Sequence, residues 1–349
     1  MGIYIILIFL ILILYVILKD KKQGKKAYCF IIGGCFILLA GLRHESMGLS
    51  DTEVYYKVFF NRILNNDFNY VLSLKDKLFQ IFTYIYTRIW GDNFQFYILL
   101  TSIPYIAAIS FLIYKYSKKM WLSFIIFLCI HYFEISFTLI RQVNGMAFLI
   151  LAFCYLVENR KKEFLIFVLI GSCFHTICIL FLIILPLREI KLEKWMLYIS
   201  AVALIIFLFW SNEVVEIAKM FFTSERFARY SDANKIQTKN RVFFLMNCTF
   251  FVAEILNYKR VCNEESRRLA FWCSLICLLI SPLTVALGEA SRIAYLYGFV
   301  HIIILPDSIE LIKKGSQKAF CEFLVLILFT NYFLFFLGPQ VNVIPYVLG

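Results

Sequence analysis

The chain has 349 residues, a formal net charge of +12, 62% hydrophobic and 18% aromatic side chains, and a mean hydropathy of +0.79. No soluble domain of this size is so apolar along its whole length, and the apolar runs are continuous rather than alternating, which excludes a β-barrel. The positive charge gathers in short Lys/Arg clusters between apolar runs, so it marks cytoplasmic loops and not affinity for nucleic acid.

A membrane-crossing helix needs about 20 apolar residues, with roughly 17 as the lower limit. The runs that meet this, in chain order, are 2–18, 27–42, 94–114, 121–139, 141–157, 195–211, 241–257, 269–288, 293–311 and 319–338. Two further segments are ambiguous. Segment 78–90 is short and carries Gln80, Thr83, Thr87 and Arg88; segment 163–186 is long enough to cross, yet holds Gly171, Ser172, His175 and Thr176 near its middle. The fold expected is all-α, a single polytopic membrane domain over 1–349 with about 10–12 transmembrane helices. The run 2–18 lacks a basic n-region and a small-residue cleavage site, so it reads as a retained span. The eleven cysteines show no metal-binding spacing, and most lie in apolar runs as small packing residues.

Basic clusters at 19–26, 115–119, 160–162, 188–194, 259–268 and 313–318 orient the chain. Placing all of them in the cytoplasm works except at 163–186, which then starts and ends inside. A re-entrant hairpin broken near Gly171 to His175 resolves the conflict, with 78–90 on the outer surface. Irregular backbone at that depth is tolerated where it is buried in protein or lines a cavity. The competing arrangement lets both segments cross and puts the 115–119 and 160–162 clusters outside, against the charge rule. Both arrangements place 43–77, 212–240 and the turn at 288–292 on the outer face, where the chemistry is expected.

Several residues there carry groups of chemical interest. Arg43 offers a planar fork of donors suited to phosphate. Asp51 and Glu53 offer carboxylates, and Tyr55 and Tyr56 suit a membrane interface or a sugar ring. A basic stop followed by an interfacial helix, with Ser50 as N-cap and Glu53 completing a capping box, explains the same residues. Arg141 opens a span whose start is crowded with Gln142, Asn144 and Gly145. Snorkelling to headgroups accounts for it, and so does an anion site at a helix N-terminus. His175 is either a functional intramembrane group or a neutral ring bonded by Ser172, Thr176 or a backbone carbonyl. In 212–240, Glu225 is a candidate general base, and Arg226 and Arg229 stand about one helical turn apart, able to face one phosphate. A solvated amphipathic helix with internally paired charges explains that loop equally. Glu289 and Arg292 form either a surface pair or part of an outer-facing site. Two carboxylates lie within spans: an ion pair with Arg141 is a sufficient explanation for Glu134, and snorkelling for Glu254.

No Walker motif, Cys/His metal pattern or Gly-x-Ser-x-Gly elbow occurs, which argues against ATP-driven transport within the chain. Many arginines with few outer carboxylates suit a polyanionic lipid substrate, its pyrophosphate held by arginines and a hydroxyl deprotonated by Asp or Glu.

Taken together, Arg43…Gly48…Asp51-Thr52…Tyr55 after the second span, the helix start Ile140-Arg141-Gln142, Phe174-His175, and Ser291-Arg292-Ile293-Ala294-Tyr295…Pro306 resemble the EpsG-type polysaccharide polymerases, often grouped with Wzy polymerases. The likeness runs in order from Gly41 to Pro306; Gly48-Leu49-Ser50-Asp51 and Val143-Asn144-Gly145 are approximate versions of the family pattern. The resemblance implies a multi-pass glycosyltransferase of the bacterial cytoplasmic (inner) membrane. It would join oligosaccharide repeat units carried on undecaprenyl pyrophosphate at the outer face, with a flippase and a chain-length regulator as partners. Neither a nucleotide sugar, a metal nor another cofactor is required. On this view Arg43, Arg141, Arg226, Arg229 and Arg292, with His175 and Tyr55, hold substrate, and Asp51, then Glu225, takes the acceptor proton. A lipid-linked oligosaccharide flippase, a ligase or a membrane acyltransferase are the rival readings. Whether the product is O-antigen, capsule or exopolysaccharide stays open.

Overall fold

The computed structural model describes residues 1–48, 51–214, 237–287 and 290–349. Its helices, in chain order, begin with α1 (Gly2–Leu18) and α2 (Gly24–Gly41), followed by short helical turns Asp51–Val54, Tyr55–Phe60, Asn61–Leu64 and Phe68–Ser73. Then come α3 (Lys77–Trp90), α4 (Phe94–Tyr116), α5 (Met120–Cys129), a turn Ile135–Thr138, α6 (Ile140–Val157), α7 (Lys161–Phe174) and a 3₁₀ stretch Thr176–Ile183. The longer helices that follow are α8 (Lys194–Phe209), α9 (Gln237–Leu256), α10 (Glu265–Ile280), α11 (Ala290–Gly298), α12 (His301–Glu310) and α13 (Gly315–Asn331), with shorter helical pieces such as Tyr258–Asn263 and Leu283–Ala286 between them. No strand occurs among the described residues beyond one isolated bridge between Arg43 and Leu348.

The molecule is an all-α polytopic membrane protein. Among the described residues, four helices are long and apolar enough to cross a bilayer: α2, α4, α6 and the continuous stretch Gly315–Gln340 that begins with α13. The bent pair α11 and α12, at 44°, makes a fifth if it is one span; α1, α5 and α8 are apolar but shorter. This is fewer than the apolar runs of the sequence, because apolarity does not guarantee helical continuity. Run 121–139 breaks after Cys129, where His131 and Glu134 bond each other. Run 163–186 stops at His175, in extended conformation, at the place the polar residues mark. Run 269–288 leaves its helix at Ile280, before Pro282.

Large apolar side chains remain exposed along the helices, including Ile6, Phe9, Ile13 and Val16 on α1 and Phe320, Phe323 and Leu328 on α13. Such surfaces fit a hydrocarbon solvent. Between helices in that solvent, small residues and close backbone approach supply the packing.

The chain divides into two compact units, residues Met1–Ile179 with Ile309–Gly349, and Leu180–Ser308. In the first, α4 packs on both α2 and α6, and α6 packs on α7. Gly145 and Gly171 let α6 and α7 touch: a Cβ on Gly145 would stand 2.9 Å from the Gly171 carbonyl oxygen, and one on Gly171 3.0 Å from the Gly145 oxygen. The C-terminal segment returns over the end of α2. Tyr346 Oη donates to the Leu39 carbonyl at 3.0 Å, Tyr4 Oη to that of Val343 at 3.0 Å, His44 N to Val347 O at 2.9 Å and Gly48 N to Asn342 O at 3.1 Å. Tyr346→Phe is expected to lose about 1 kcal/mol, the net worth of one such bond, read as a small fall in Tm of the detergent-solubilised protein.

In the second unit, α10 packs against α9 and α11. Leu192, Val261, Phe271, Trp272 and Leu275 form a core, and His301 stacks on Phe250 with ring centroids 4.4 Å apart.

Candidate functional site

The three stretches of the first unit that drew attention in the sequence meet at one carboxylate. Asp76 closes the 43–77 segment and precedes α3. Its backbone is left-handed, φ 57° and ψ 51°, a conformation aspartate tolerates better than most residues. The side chain makes no cap bond to the helix it precedes, and its carboxylate bonds elsewhere. Asp76 Oδ2 accepts from Arg141 Nη1 at 2.9 Å. Asp76 Oδ1 accepts from the Thr176 amide at 3.1 Å and from Thr176 Oγ1 at 3.0 Å. The 43–77 segment, the polar start of α6 and the break after α7 are thus tied through a single side chain.

Arg141 is the centre of what this arrangement can do. Among the described residues its guanidinium donates to Asp76 and to no other acceptor. Its Cζ lies 5.3 Å from the centroid of the Phe59 ring, and 27% of its side chain is exposed. One edge of the fork is therefore fixed by a carboxylate and one face by an aromatic ring, leaving further N–H donors for an anion. An orienting partner reduces the rotamer entropy that anion binding would otherwise cost. The neighbours Gln142 and Asn144 are buried, and Asn144 Nδ2 donates to Thr101 O at 3.0 Å and Ile140 O at 2.8 Å, so α6 is anchored while Arg141 reaches outward.

Tyr55 lies beside this site but inside the aromatic core. It is 6% exposed, stacks on Phe59 and Tyr97, and shares a 3.3 Å hydroxyl contact with Tyr97, whose hydroxyl meets Thr83 Oγ1 at 2.8 Å. Burial raises its pKa. Tyr55 thus supports the Phe59 ring under Arg141. His175 ends α7; its Nδ1 accepts from the Ile177 amide at 3.4 Å, and Cys178 N donates to its carbonyl at 2.9 Å, which shapes the turn that presents Thr176.

Arg43 takes a different place. It is 1% exposed, and its Nη1 donates to the Ala40 carbonyl, its Nη2 to that of Ser136 at 3.5 Å. Its Cζ lies 4.6 Å from the Phe137 ring centroid. Burial pulls its pKa down, to about 9, opposed by the nearby Tyr346 and Tyr4, so the cation persists at neutral pH. Arg43 braces the turn Ile135–Thr138 that leads into α6, and Thr52 Oγ1 donates to the Phe137 carbonyl at 2.6 Å in the same place. Asp51 opens the helical turn Asp51–Val54 held by that bond.

Arg292 belongs to the second unit, on α11. Glu225, Arg226, Arg229 and Glu289 lie outside the described residues. The sequence-based pairing of Glu134 with Arg141 is replaced: Glu134 Oε1 meets His131 Nδ1 at 2.9 Å, both residues 2% exposed, and Arg141 takes Asp76. Glu254 does not snorkel; it is 1% exposed. Asp76 was the residue that sequence reasoning passed over. It sits between Lys75 and Lys77, where an acidic side chain reads as one member of a solvated charge cluster. No group of three or more His, Cys, Asp or Glu side chains placed to hold a metal occurs among the described residues.

Comparison with known proteins adds one finding. Searches of curated proteins and of solved structures return no match. The model of the EpsG family matches residues 26–348, nearly the whole chain. That match supports a membrane protein of the polysaccharide-polymerase type. By the extent of this match the chain belongs to the EpsG family.

Proposed function

We propose that this protein is a membrane glycosyltransferase of the cytoplasmic membrane. It joins oligosaccharide repeat units carried on undecaprenyl pyrophosphate at the outer face. The observation that carries the proposal is the Arg141–Asp76 pair: an arginine oriented by a carboxylate, seated on an aromatic ring and partly exposed, in a chain of this family.

In the proposed reaction the growing chain is the donor. A hydroxyl of the incoming lipid-linked unit attacks the anomeric carbon, the bond from that carbon to the pyrophosphate oxygen breaks, and the pyrophosphate leaves with the electron pair. Negative charge builds on the leaving oxygen, so a preorganised guanidinium lowers the barrier. Arg141 takes that role; Arg226, Arg229 and Arg292 remain further candidates for holding substrate. Asp76 is a positioning residue. Both its oxygens already accept hydrogen bonds from protein donors, which suits holding Arg141 and Thr176 better than receiving a substrate proton. Asp51 remains the first choice as general base and Glu225 the second. Arg43 acts on Arg141 through the turn at Ser136–Phe137, while His175 and Tyr55 shape the walls of the site. The partners are the lipid-linked oligosaccharide, a flippase that supplies it and a regulator of chain length.

The test is the profile of lipid-linked saccharides in a deletion strain complemented with the wild type or with Asp51→Asn. The expected result is single repeat units on the outer leaflet and no ladder in the deletion strain and the variant, with the ladder restored by the wild type. Units trapped on the inner leaflet would mean a flippase, and long chains left on the carrier would mean a ligase; either overturns the proposal.

A further inference from the structure

The second unit holds an acid that the glycosyl-transfer scheme does not use. Glu254 lies on α9, two residues from its end, and is 1% exposed. Both of its carboxyl oxygens are buried without a hydrogen-bond partner among the described residues. The charged groups near enough to act on it are Arg267 on α10, Asp307 on α12, and Arg260 in the short helix Tyr258–Asn263. The helix Leu283–Ala286, also packed on α9, carries no titratable side chain.

The charges in this cluster do not balance in pairs. Arg267 is bound to Asp307, both nearly buried, at 8% and 5% side-chain exposure. Arg260 Nε donates to Glu264 at 2.5 Å. Each guanidinium thus already has a carboxylate, though Arg260 Nη1 is itself buried without a hydrogen bond, and Glu254 is the acid that neither guanidinium reaches. An ionised carboxylate sealed from water with no donor to its oxygens is strongly disfavoured. A neutral carboxylic acid avoids most of that cost. A metal ion is a poor substitute, because Glu254 and Asp307 do not belong to any group of three ligands able to hold one among the described residues.

We propose that Glu254 is a proton-binding site inside the second unit. The step is simple addition of a proton to one carboxylate oxygen, with no other bond changed. A consequence follows for the neighbours. When Glu254 gives up its proton, two carboxylates, Glu254 and Asp307, compete for Arg267, so proton loss favours a rearrangement of that guanidinium. The site is independent of the polymerase proposal and stands or falls without it.

Dicyclohexylcarbodiimide, an apolar reagent that attacks protonated carboxyls, tests the assignment on the full-length protein in lipid nanodiscs. Modified residues are located by peptide mass spectrometry. The expected result is modification of Glu254, retained in Glu254→Asp, absent in Glu254→Gln, and falling about tenfold per pH unit once the pH exceeds the midpoint of the site. Infrared difference spectroscopy reads the same proton without reagent access: the carbonyl stretch of a protonated acid should be present in the wild type at mildly acidic pH and missing in Glu254→Gln. Absence of that band difference overturns the proposal. So does modification of Asp307 in place of Glu254, or protection of Glu254 by sodium at constant pH, which would make it a metal-cation site instead.

Discussion

Arg141→Ala is expected to abolish the polymer ladder while leaving single lipid-linked units and normal protein levels. Removing one preorganised donor to a developing oxyanion costs about 10²- to 10³-fold in rate, or about 3–4 kcal/mol of barrier. A processive polymer magnifies such a loss, because every added unit needs the step again. Arg141→Lys keeps the charge but not the fork. Its single ammonium cannot serve Asp76 and a phosphate with the same geometry, so shortened and sparse chains are expected. Asp76→Asn preserves shape while removing the anion that orients Arg141, and a loss of about tenfold or more is expected. Arg141→Ala combined with Asp76→Asn should cost little more than Arg141→Ala alone, because a positioning residue has nothing left to position. Quantitative profiling of the ladder in the deletion strain reads all four variants. Wild-type chain lengths from Arg141→Ala would remove this arginine from the mechanism, and full additivity in the double variant would separate Asp76 from it.

The second large effect concerns the helix contact that brings the site together. Gly145 is one turn into α6 from Arg141, and a side chain there meets Gly171 O at 2.9 Å and Cys178 Sγ at 2.7 Å. The sulfur can turn aside. The carbonyl belongs to the backbone of α7 and cannot move without moving the helix. Gly145→Val is therefore expected to push α6 and α7 apart and to cost about 3 kcal/mol, the upper part of the range for overpacking. The same displacement draws Thr176 away from Asp76, so any surviving protein should polymerise poorly. Thermal unfolding in detergent, with the saccharide ladder as a second readout, checks both expectations. Gly34→Ala is the control: no atom lies within 4 Å of a Cβ placed there, and near-wild-type stability is expected. A fully stable Gly145→Val would show that the two helices can part without penalty.

The sequence by itself determined the solvent, the class and the family. Continuous apolar runs require helices, because a backbone in hydrocarbon must satisfy its own N–H and C=O groups. The order of short motifs pointed to the family whose model covers 26–348. It also marked the break near His175, since Gly171, Ser172, His175 and Thr176 interrupt an otherwise apolar stretch. The tertiary structure decided which polar groups meet. Asp76 is 65 residues from Arg141 and 100 from Thr176, and no local pattern records such a contact. Arg43 shows the same limit from the other side. Its residue type suits phosphate, but only the returning C-terminal segment and the Ser136–Phe137 turn reveal that it is enclosed. Helix continuity was likewise settled in three dimensions. A run such as 121–139 is apolar enough to cross as one helix, yet the bond between His131 and Glu134 forms where the helix opens. Hydropathy reports the cost of removing a residue from water, summed along the chain. The position of a site depends on which distant donor meets which acceptor once that cost has been met, and that is fixed only by packing.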